Sequence, residues 1–207
     1  LYELTTRLNE LRKTSAGVKV PNYTFSTLDG DVTLLELFGD QDRLLVIHNM
    51  GQGCRYCTLW ADGFNGFLPH LESAMSVVLV SKDAPDLQRT FANSRGWRFR
   101  LASHRGGDYI QQQSVSAGES NTPGVVVYER DGDQISRKNA AEFGPGDVFC
   151  SIWNLLAMAE PKDVPRLPDV GARVRELLAD PIGMPPLDEV IAGLPNTKTV
   201  IISEDQT

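Results

Sequence analysis

The 207-residue chain carries 27 acidic and 20 basic side chains, which gives a formal net charge of -7. This length supports one sizeable domain with an extension and is too short for two large domains. The acidic balance and the lack of a basic run argue against a nucleic-acid partner, since phosphate backbones need clustered Lys and Arg. No stretch approaches the ~20 apolar residues that cross a bilayer, and residues 1–13 lack the order of a signal peptide. We therefore expect a cytoplasmic protein without a membrane partner.

The three cysteines are distributed unevenly along the chain. Cys54 and Cys57 are separated by two residues, whereas Cys150 lies far from both. An odd number of cysteines does not suit a secreted scaffold that is held together by disulfides. A close pair with one distant thiol is typical of a reducing compartment and a single reactive pair.

Apolar periodicity and turn residues predict alternating helices and strands along most of the chain. In chain order the predicted elements are a helix over 1–14, an extended segment over 21–25, a turn at 28–30, a short apolar segment over 32–38, a buried strand over 44–49, helical segments over 55–61 and 64–73 interrupted at Asp62-Gly63, a buried strand over 76–81, a helix over 85–94 capped by Asp83 and ended by Gly96, a weak strand over 99–102, a long polar loop over 104–122, an antiparallel hairpin of 125–128 and 135–138, and a helix over 147–160.

This order of elements predicts an α/β protein. Two strands joined by crossover helices, followed by an antiparallel hairpin and a helix, form the mixed sheet of a thioredoxin-like three-layer sandwich. The predicted domain covers residues 1–160 and includes the N-terminal helix. The C-terminal extension, 161–207, holds seven of the twelve prolines, and we predict short helices at 170–178 and 187–192 and a strand at 199–202. It is expected to pack on the core or at an interface, and a homodimer is compatible with it.

The close cysteine pair follows a predicted buried strand and a glycine-containing loop, and it opens a predicted helix. A cysteine at a helix N-terminus lies beside unpaired backbone N–H groups and the positive end of the helix dipole, and both favour the thiolate. Arg55 adds a positive charge that we expect to tune the pKa of the Cys54 thiol. Cys57 lies one helical turn further on, where its sulfur can close a disulfide. The pattern predicts Cys54 as nucleophile and Cys57 as resolving thiol, with no metal and no cofactor.

Two other interpretations of the pair stay open. In the first, the pair supplies half of a zinc site. Such a site needs about four ligands, and the remaining donors are not paired at ligand spacing: Cys150, His48, His70 and His104. In the second, the pair is chemically inert. Cys150 lies on an apolar helical stretch and is predicted to be structural.

Thr122-Pro123 directly precedes the predicted strand over 125–128. Thioredoxin-like proteins have a cis-proline at this position, facing the reactive cysteine. The fold context therefore favours a cis bond over a trans proline that begins a strand. A cis bond would turn the Thr122 backbone toward Cys54, where an extended substrate can pair by strand addition. We expect Thr122 and Pro123 to bind substrate.

The sequence signals for other residues near the pair are less specific than those for the cysteines. Asp62 is predicted to cap the end of a helix, with proton acceptance from Cys57 as the alternative. Trp60 is predicted to pack in the core one turn after Tyr56. His48 is predicted to be a hydrogen-bonded core residue, and His104 has a smaller chance of approaching the site.

At these residues the chain resembles a thioredoxin-like family of bacterial proteins of unknown function that is similar to alkyl hydroperoxide reductase and thiol-specific antioxidant proteins. The resemblance covers about residues 1–160. It implies a thioredoxin fold with a redox role, without a settled substrate. Gly51 stands where peroxiredoxins have Thr, three residues before the reactive cysteine, and Gly53 stands where thioredoxins have Trp. The matching segments are 48–50, 54–66, 80–85, 96–97 and 123–132.

Three functions are compatible with this sequence. The leading prediction is a thiol–disulfide oxidoreductase whose partner is a protein or small-molecule thiol or disulfide. The second is a thiol-dependent, peroxiredoxin-like antioxidant enzyme in which Cys54 becomes a sulfenic acid and condenses with Cys57. The third is a non-catalytic binding or assembly module, because a thioredoxin fold alone does not prove catalysis.

Overall fold

The computed structural model describes residues 2–116, 118–119 and 121–159. The elements of this part, in chain order, are α1 (Tyr2–Thr14), β1 (Val18–Val20), β2 (Thr24–Thr27), β3 (Gly30–Thr33), α2 (Leu34–Leu37), β4 (Arg43–His48), α3 (Arg55–Glu72), β5 (Ser76–Ser81), α4 (Pro85–Arg95), β6 (Arg100–Ser103), α5 (Asp108–Gln113), β7 (Gly124–Asp131), β8 (Gln134–Glu142) and α6 (Ile152–Ala159).

The strands of this part form one mixed sheet in the order β1-β8-β7-β4-β5-β6-β2-β3. β4 pairs in parallel with β5, and β5 in parallel with β6. On its other side β4 pairs antiparallel with β7. Helices cover both faces of the sheet, since one buried cluster includes side chains of α3, α4 and α6 and the other includes side chains of α2 and α5. The predicted α/β three-layer sandwich is confirmed.

β4 occupies the middle of the sheet because its side chains are apolar on both faces. Leu45 and Ile47 pack toward α3, whereas Leu44 and Val46 pack toward α2 and α5. A continuous apolar run of this kind is what a parallel strand covered on both faces requires. The chain leaves β4 at His48, and the loop that follows leads into α3. The edge of the sheet at the carboxyl end of β4 therefore carries the predicted cysteine site.

α3 is continuous where the sequence predicts a break. Asp62 and Gly63 lie inside the helix, so the predicted interruption there is wrong. The backbone departs from helical geometry at Phe67 instead, with φ -110° and ψ 16°. Pro69 follows two residues later, and a proline inside a helix removes one N–H donor and crowds the preceding turn.

Three other predicted boundaries differ from the structure. Asp83 does not cap α4, because Ala84 is the N-cap residue and makes no side-chain cap hydrogen bond, while Gly96 ends the helix as predicted, with φ 67°. The polar segment after His104 contains α5, whose Tyr109 and Ile110 are buried. The last described helix begins at Ile152 rather than at 147.

The C-terminal extension and its predicted helices and strand lie outside the described residues. Within the described part, no helix combines the length and the apolar character needed to cross a bilayer.

Candidate redox site at the start of α3

Cys54 is the N-cap residue of α3, with extended backbone angles of φ -94° and ψ 103°. Its backbone N–H donates to the Gly51 carbonyl at 3.0 Å, which closes the loop before the helix, and its own carbonyl accepts from Thr58 N at 3.1 Å. The hydroxyl of Thr58 also donates to the Cys54 carbonyl, at 3.0 Å. Local backbone bonds therefore place the first cysteine at the predicted junction between a buried strand and a helix.

The two sulfurs of the pair form a disulfide across the first turn of α3. The Cα atoms of Cys54 and Cys57 are 5.3 Å apart, within the usual range for a disulfide. The backbone N–H of Cys57 donates to Cys54 Sγ at 3.1 Å, and the N–H of Met50 donates to Cys57 Sγ at 3.4 Å. Each sulfur thus has a backbone donor that can stabilise negative charge after reduction.

The loop between β4 and α3 is held by Asn49 and Asp83. Asn49 Oδ1 accepts from Gly51 N at 2.8 Å, and its Nδ2 donates to the Cys57 carbonyl at 3.4 Å. Asp83 accepts from Gln52 N at 2.7 Å. Gly51 has φ 109°, and a Cβ there would lie 2.8 Å from the Asp83 carboxylate oxygens, so glycine is needed for both its conformation and its size. Asp83 therefore holds this loop.

Both cysteines are shielded from solvent. Cys54 is 4% exposed and Cys57 3% exposed, within the apolar cluster that contains Trp60 and Phe64. A small reactant, or a small displacement of the surrounding loop, is needed for a reagent to touch either sulfur.

Thr122 and Pro123 lie at the same edge of the sheet as the disulfide. His48 pairs with Gly124 across β4 and β7, so Thr122 and Pro123 stand beyond the end of β4, beside the loop that begins at Asn49. Their peptide bond is trans, so the predicted cis bond is wrong. The Pro123 carbonyl accepts from Phe143 N at 2.9 Å. The proline instead directly precedes β7, which begins at Gly124, a position where a trans proline is readily accommodated.

The supporting residues differ from the sequence predictions in one case. Asp62 neither ends a helix nor faces Cys57: it forms an ion pair with Arg95 and accepts from Trp97 Nε1 at 2.7 Å. The predicted cap is wrong, since Asp62 links α3 to α4 and the segment after it. Trp60 is 2% exposed and stacks on Phe143 with ring centroids 5.3 Å apart, in agreement with its predicted core role.

Arg55 is the first residue of α3 and is half-buried directly after Cys54. This position agrees with the charge expected beside the first sulfur. Its effect on the thiol stays a prediction.

His48 is a buried, hydrogen-bonded residue on the opposite face of the sheet, as predicted. Its Nε2 lies 2.7 Å from the Tyr109 hydroxyl, and the Tyr128 hydroxyl donates to Tyr109 at 3.2 Å. Burial, together with the positive charges of His104 and Arg137, lowers the pKa of His48 to about 3. Burial raises the pKa values of Tyr128 and Tyr109 well above the usual value for tyrosine. This network is therefore neutral at pH 7.

The other histidines do not approach the disulfide. His104 Nδ1 accepts from Gly106 N at 3.0 Å, which organises the turn before α5. Burial, partly offset by the Asp83 charge, lowers the pKa of His104 to about 4. His70 is exposed near the end of α3.

Cys150 is a buried free thiol, 6% exposed, in the same apolar cluster as the pair. Burial raises its pKa, and the nearby Asp147 carboxylate adds to the increase. Asp147 accepts from Phe149 N at 2.9 Å and from Cys150 N at 3.1 Å. Over the described part of the chain, no three side chains of the metal-binding types are arranged to hold an ion, and the two sulfurs of a zinc half-site are here joined to each other.

The sequence prediction missed three contributors to the site. These are the Asn49 side chain, the Met50 N–H and the Asp83 carboxylate. A polar residue directly after a buried strand was the available signal for Asn49, since such a side chain leaves the sheet at the edge where loops meet. Asp83 is 31 residues from Gln52, whose N–H donates to it, so no local pattern reveals this contact.

Comparison with known proteins identifies the fold. The chain is similar to the reduced form of Prx3 from Vibrio vulnificus, at 12% identity over 70% of this chain and 97% of that one, with a TM-score of 0.52. It is also similar to a peroxiredoxin Q variant from Xanthomonas campestris, at 16% identity over 71% and 100% of the two chains, with a TM-score of 0.50. At these identities the likeness shows a peroxiredoxin and thioredoxin type of fold only.

The remaining comparisons concern one more solved structure, the curated proteins and the protein families. A candidate protein disulfide isomerase from Bacteroides thetaiotaomicron aligns at 19% identity over 61% of this chain and 77% of that one, with a TM-score of 0.45. No curated protein matches the sequence. The model of a family described as "bacterial protein of unknown function (DUF899)" matches residues 2–162.

Proposed function

Since the chain belongs to the DUF899 family of bacterial proteins of unknown function, we propose from the site itself that it is a thiol–disulfide oxidoreductase. Cys54 is the nucleophile and Cys57 the resolving thiol. The observation that carries this proposal is the disulfide between the N-cap residue of α3 and the residue one turn later. The fold and the cysteine pair support a redox function in general. The roles proposed for Cys54 and Cys57 make that function a specific reaction, thiol–disulfide exchange.

The reaction consumes one disulfide and two protein thiols. In the reduced protein, the Cys54 thiolate attacks one sulfur of the substrate disulfide, and the first substrate thiol leaves with a proton. The Cys57 sulfur then attacks Cys54 Sγ, gives up its proton and releases the second substrate thiol. Two electrons pass from the protein to the substrate, and the Cys54–Cys57 disulfide remains. A dithiol reductant restores the protein.

The order of attack follows from the hydrogen bonds of the two sulfurs. Cys54 Sγ accepts the Cys57 N–H at 3.1 Å at the start of the helix, where the dipole favours an anion. Cys57 Sγ accepts only the longer Met50 contact of 3.4 Å among the bonds of the described residues. Cys54 is therefore the better thiolate. Thr122 and Pro123, at the same edge of the sheet as the disulfide, would contact the substrate.

A thiol-dependent peroxidase is the second candidate, and the burial of Cys54 favours it. A sulfur that is only 4% exposed is reached more readily by a peroxide than by a protein disulfide. The thiolate would take one peroxide oxygen and become a sulfenic acid, with release of water or an alcohol. Cys57 would then displace water and form the same disulfide. The oxidised form is common to both reactions, so kinetics must separate them.

The test is a single-turnover reaction of the reduced protein, freed of reductant, with a small aromatic disulfide that releases a coloured thiolate. The wild type is expected to release two thiolates per pair and to end with the Cys54–Cys57 disulfide. Cys57→Ser should release one and retain a mixed disulfide on Cys54, and Cys54→Ser should react at least about a hundredfold more slowly. Cys150→Ala is the matched control, a buried thiol outside the pair, and should behave like the wild type.

A parallel reaction with hydrogen peroxide separates the candidates. Disulfide formation much faster with peroxide than with the aromatic disulfide would replace the first proposal by the second. A reduced protein that reacts with neither at a rate above free cysteine would leave only a non-catalytic module and defeat both.

A further inference from the structure

A cavity of about 200 Å³ lies on the face of the sheet opposite the disulfide, between the end of α5 and β8. The cavity is open to solvent on one side. Its walls are polar except for one aliphatic side chain, Val115. The residues that line it include Gln111, Gln112, Ser114, Val115, Ser116 and Arg137.

Arg137 is the charged group of this cavity. It pairs with Tyr128 across β7 and β8, and its Nη2 donates to the Ser114 carbonyl at 3.1 Å. Among the described residues no carboxylate lies within ion-pair distance of its guanidinium. A guanidinium has five N–H donors, so one bond to a carbonyl leaves most of its donors for another acceptor.

One further polar side chain of the wall has free donors within the described part of the chain. The Tyr23 hydroxyl donates to Gln112 Oε1 at 2.9 Å, which leaves the amide N–H groups of Gln112 as further donors. A donor-rich wall around one guanidinium is the chemistry of an oxyanion site.

The surrounding groups do not neutralise Arg137. The Arg137 charge acts on three buried residues, Tyr109, Tyr128 and His48. All three are uncharged at pH 7, because burial keeps the tyrosines protonated and the histidine deprotonated. The Glu142 carboxylate accepts from the Ser116 hydroxyl at 2.6 Å at the cavity wall. Because Arg137 supplies one positive charge and the Glu142 carboxylate lies nearby, a ligand with a charge of -1 fits this cavity better than a ligand with a charge of -2.

We propose that this cavity binds a small monocarboxylate, whose two oxygens engage the Arg137 guanidinium and whose short carbon chain lies against Val115. Phosphate shares the oxyanion chemistry but carries more charge than Arg137 neutralises beside Glu142. The cavity does not include the cysteine pair, so this proposal is independent of the redox proposal.

The test is an NMR titration of the ¹⁵N-labelled full chain with sodium acetate, butyrate and phosphate, with chloride used to keep the ionic strength constant. Saturable shifts of the amide signals of Ser114, Val115 and Arg137 are expected with butyrate and acetate, and a weaker response with phosphate. Arg137→Gln should weaken butyrate binding about tenfold or more, since a charged, two-pronged contact is lost. If that variant does not fold, Arg137→Lys, which keeps the charge but lacks the planar fork, should weaken binding by a smaller factor.

The control is Arg100→Gln. Arg100 Nη1 also donates to backbone carbonyls, of Glu36 at 3.4 Å and Leu37 at 3.2 Å, but it lies outside the cavity. It should leave butyrate binding unchanged. The proposal is overturned if no anion shifts these amides in a saturable way, if the Arg137 variants bind as the wild type does, if Arg100→Gln weakens binding equally, or if phosphate binds more tightly than butyrate.

Discussion

Ionisable groups at the end of β4 have different hydrogen-bond partners on the two faces of the sheet. On the α3 face, the sulfurs of Cys54 and Cys57 each accept a backbone N–H at a helix start. On the α5 face, His48 is enclosed by Tyr109 and Tyr128, whose hydroxyls are neutral partners. His48 and the two cysteines are almost equally buried, at 3 to 4% exposure. The comparison teaches that groups at the same depth of burial can have different surroundings: burial among neutral partners keeps His48 uncharged, whereas each sulfur has a backbone N–H that can stabilise a thiolate after reduction.

Cys150 makes the same point within the α3 face. Like Cys54, it lies just before a helix, because α6 begins at Ile152. Unlike Cys54, it stands beside a carboxylate, and both burial and the Asp147 charge raise its pKa. A helix start is therefore not sufficient for a reactive thiol. Arg55 after Cys54 and Asp147 before Cys150 are the local charges that distinguish the two cysteines.

The largest expected effect concerns the acid stability of the α5 face. An unfolded histidine binds a proton below its ordinary pKa of 6.5, whereas folded His48 does so only near pH 3. The unfolded state therefore binds more protons between these values, and the contribution to stability that is present above pH 6.5 is lost as the pH falls. At pH 4.5 the loss from His48 amounts to about 3 kcal/mol, at ~1.36 kcal/mol per pKa unit.

Urea unfolding at pH 7 and pH 4.5 checks this expectation. His48→Gln should reduce the difference in unfolding free energy between the two pH values by about 3 kcal/mol. The exposed His70→Gln is the control and should leave the difference unchanged. An equal pH dependence in the wild type and His48→Gln would mean that His48 is charged in the folded state, and the contrast between the two faces would fail.

The next effect is the difference in reactivity between the thiols of the reduced protein. We expect iodoacetamide at pH 7 to modify Cys54 about a hundredfold faster than Cys150, because burial and the neighbouring Asp147 carboxylate raise the pKa of Cys150 despite its backbone bond from Ile152. Mass spectrometry of timed digests measures both rates in one sample, so differences in reagent cancel. Rates within a factor of about two of each other would show that the helix start and its donors give Cys54 no advantage.

A smaller effect isolates the carboxylate beside Cys150. Asp147→Asn removes the negative charge while keeping an oxygen that can accept from the Phe149 and Cys150 N–H groups. Cys150 alkylation should become about fivefold faster at pH 7, and Cys54 alkylation should not change. An unchanged Cys150 rate would assign its low reactivity to burial alone.

The smallest expected effect belongs to Arg55. Its guanidinium adds one positive charge next to Cys54 in a half-buried position, and the attraction between two such opposite charges contributes ~0.2–1 kcal/mol. Arg55→Gln should slow Cys54 alkylation about threefold at low salt and less at high salt. Arg7→Gln, an exposed charge on α1, is the control and should have no effect. A rate for Arg55→Gln that equals the wild-type rate would remove Arg55 from the account of the site.

The parts of this protein that follow from neighbouring residues could be predicted from the sequence. Continuous apolar runs identify β4 and β5, Asp131-Gly132 identifies the turn between β7 and β8, and Gly96 identifies the end of α4. The position of Cys54 between a buried strand and a helix is of the same kind. These features depend on periodicity, glycine conformation and hydrogen bonds within a few residues, all of which the order of amino acids contains.

Only the tertiary structure decided what depends on distant partners. Asp62 looks like a helix cap until Arg95 and Trp97 approach it from the end of α4 and beyond. The segment after His104 looks like a polar loop, yet the hydroxyl bonds of Tyr109 to β4 and β7 anchor α5 there. The place of Pro123 before β7 likewise depends on the hydrogen bond that its carbonyl accepts from Phe143 N. In each case the deciding contact joins residues about 20 or more positions apart, so its energy appears only after the sheet has brought them together.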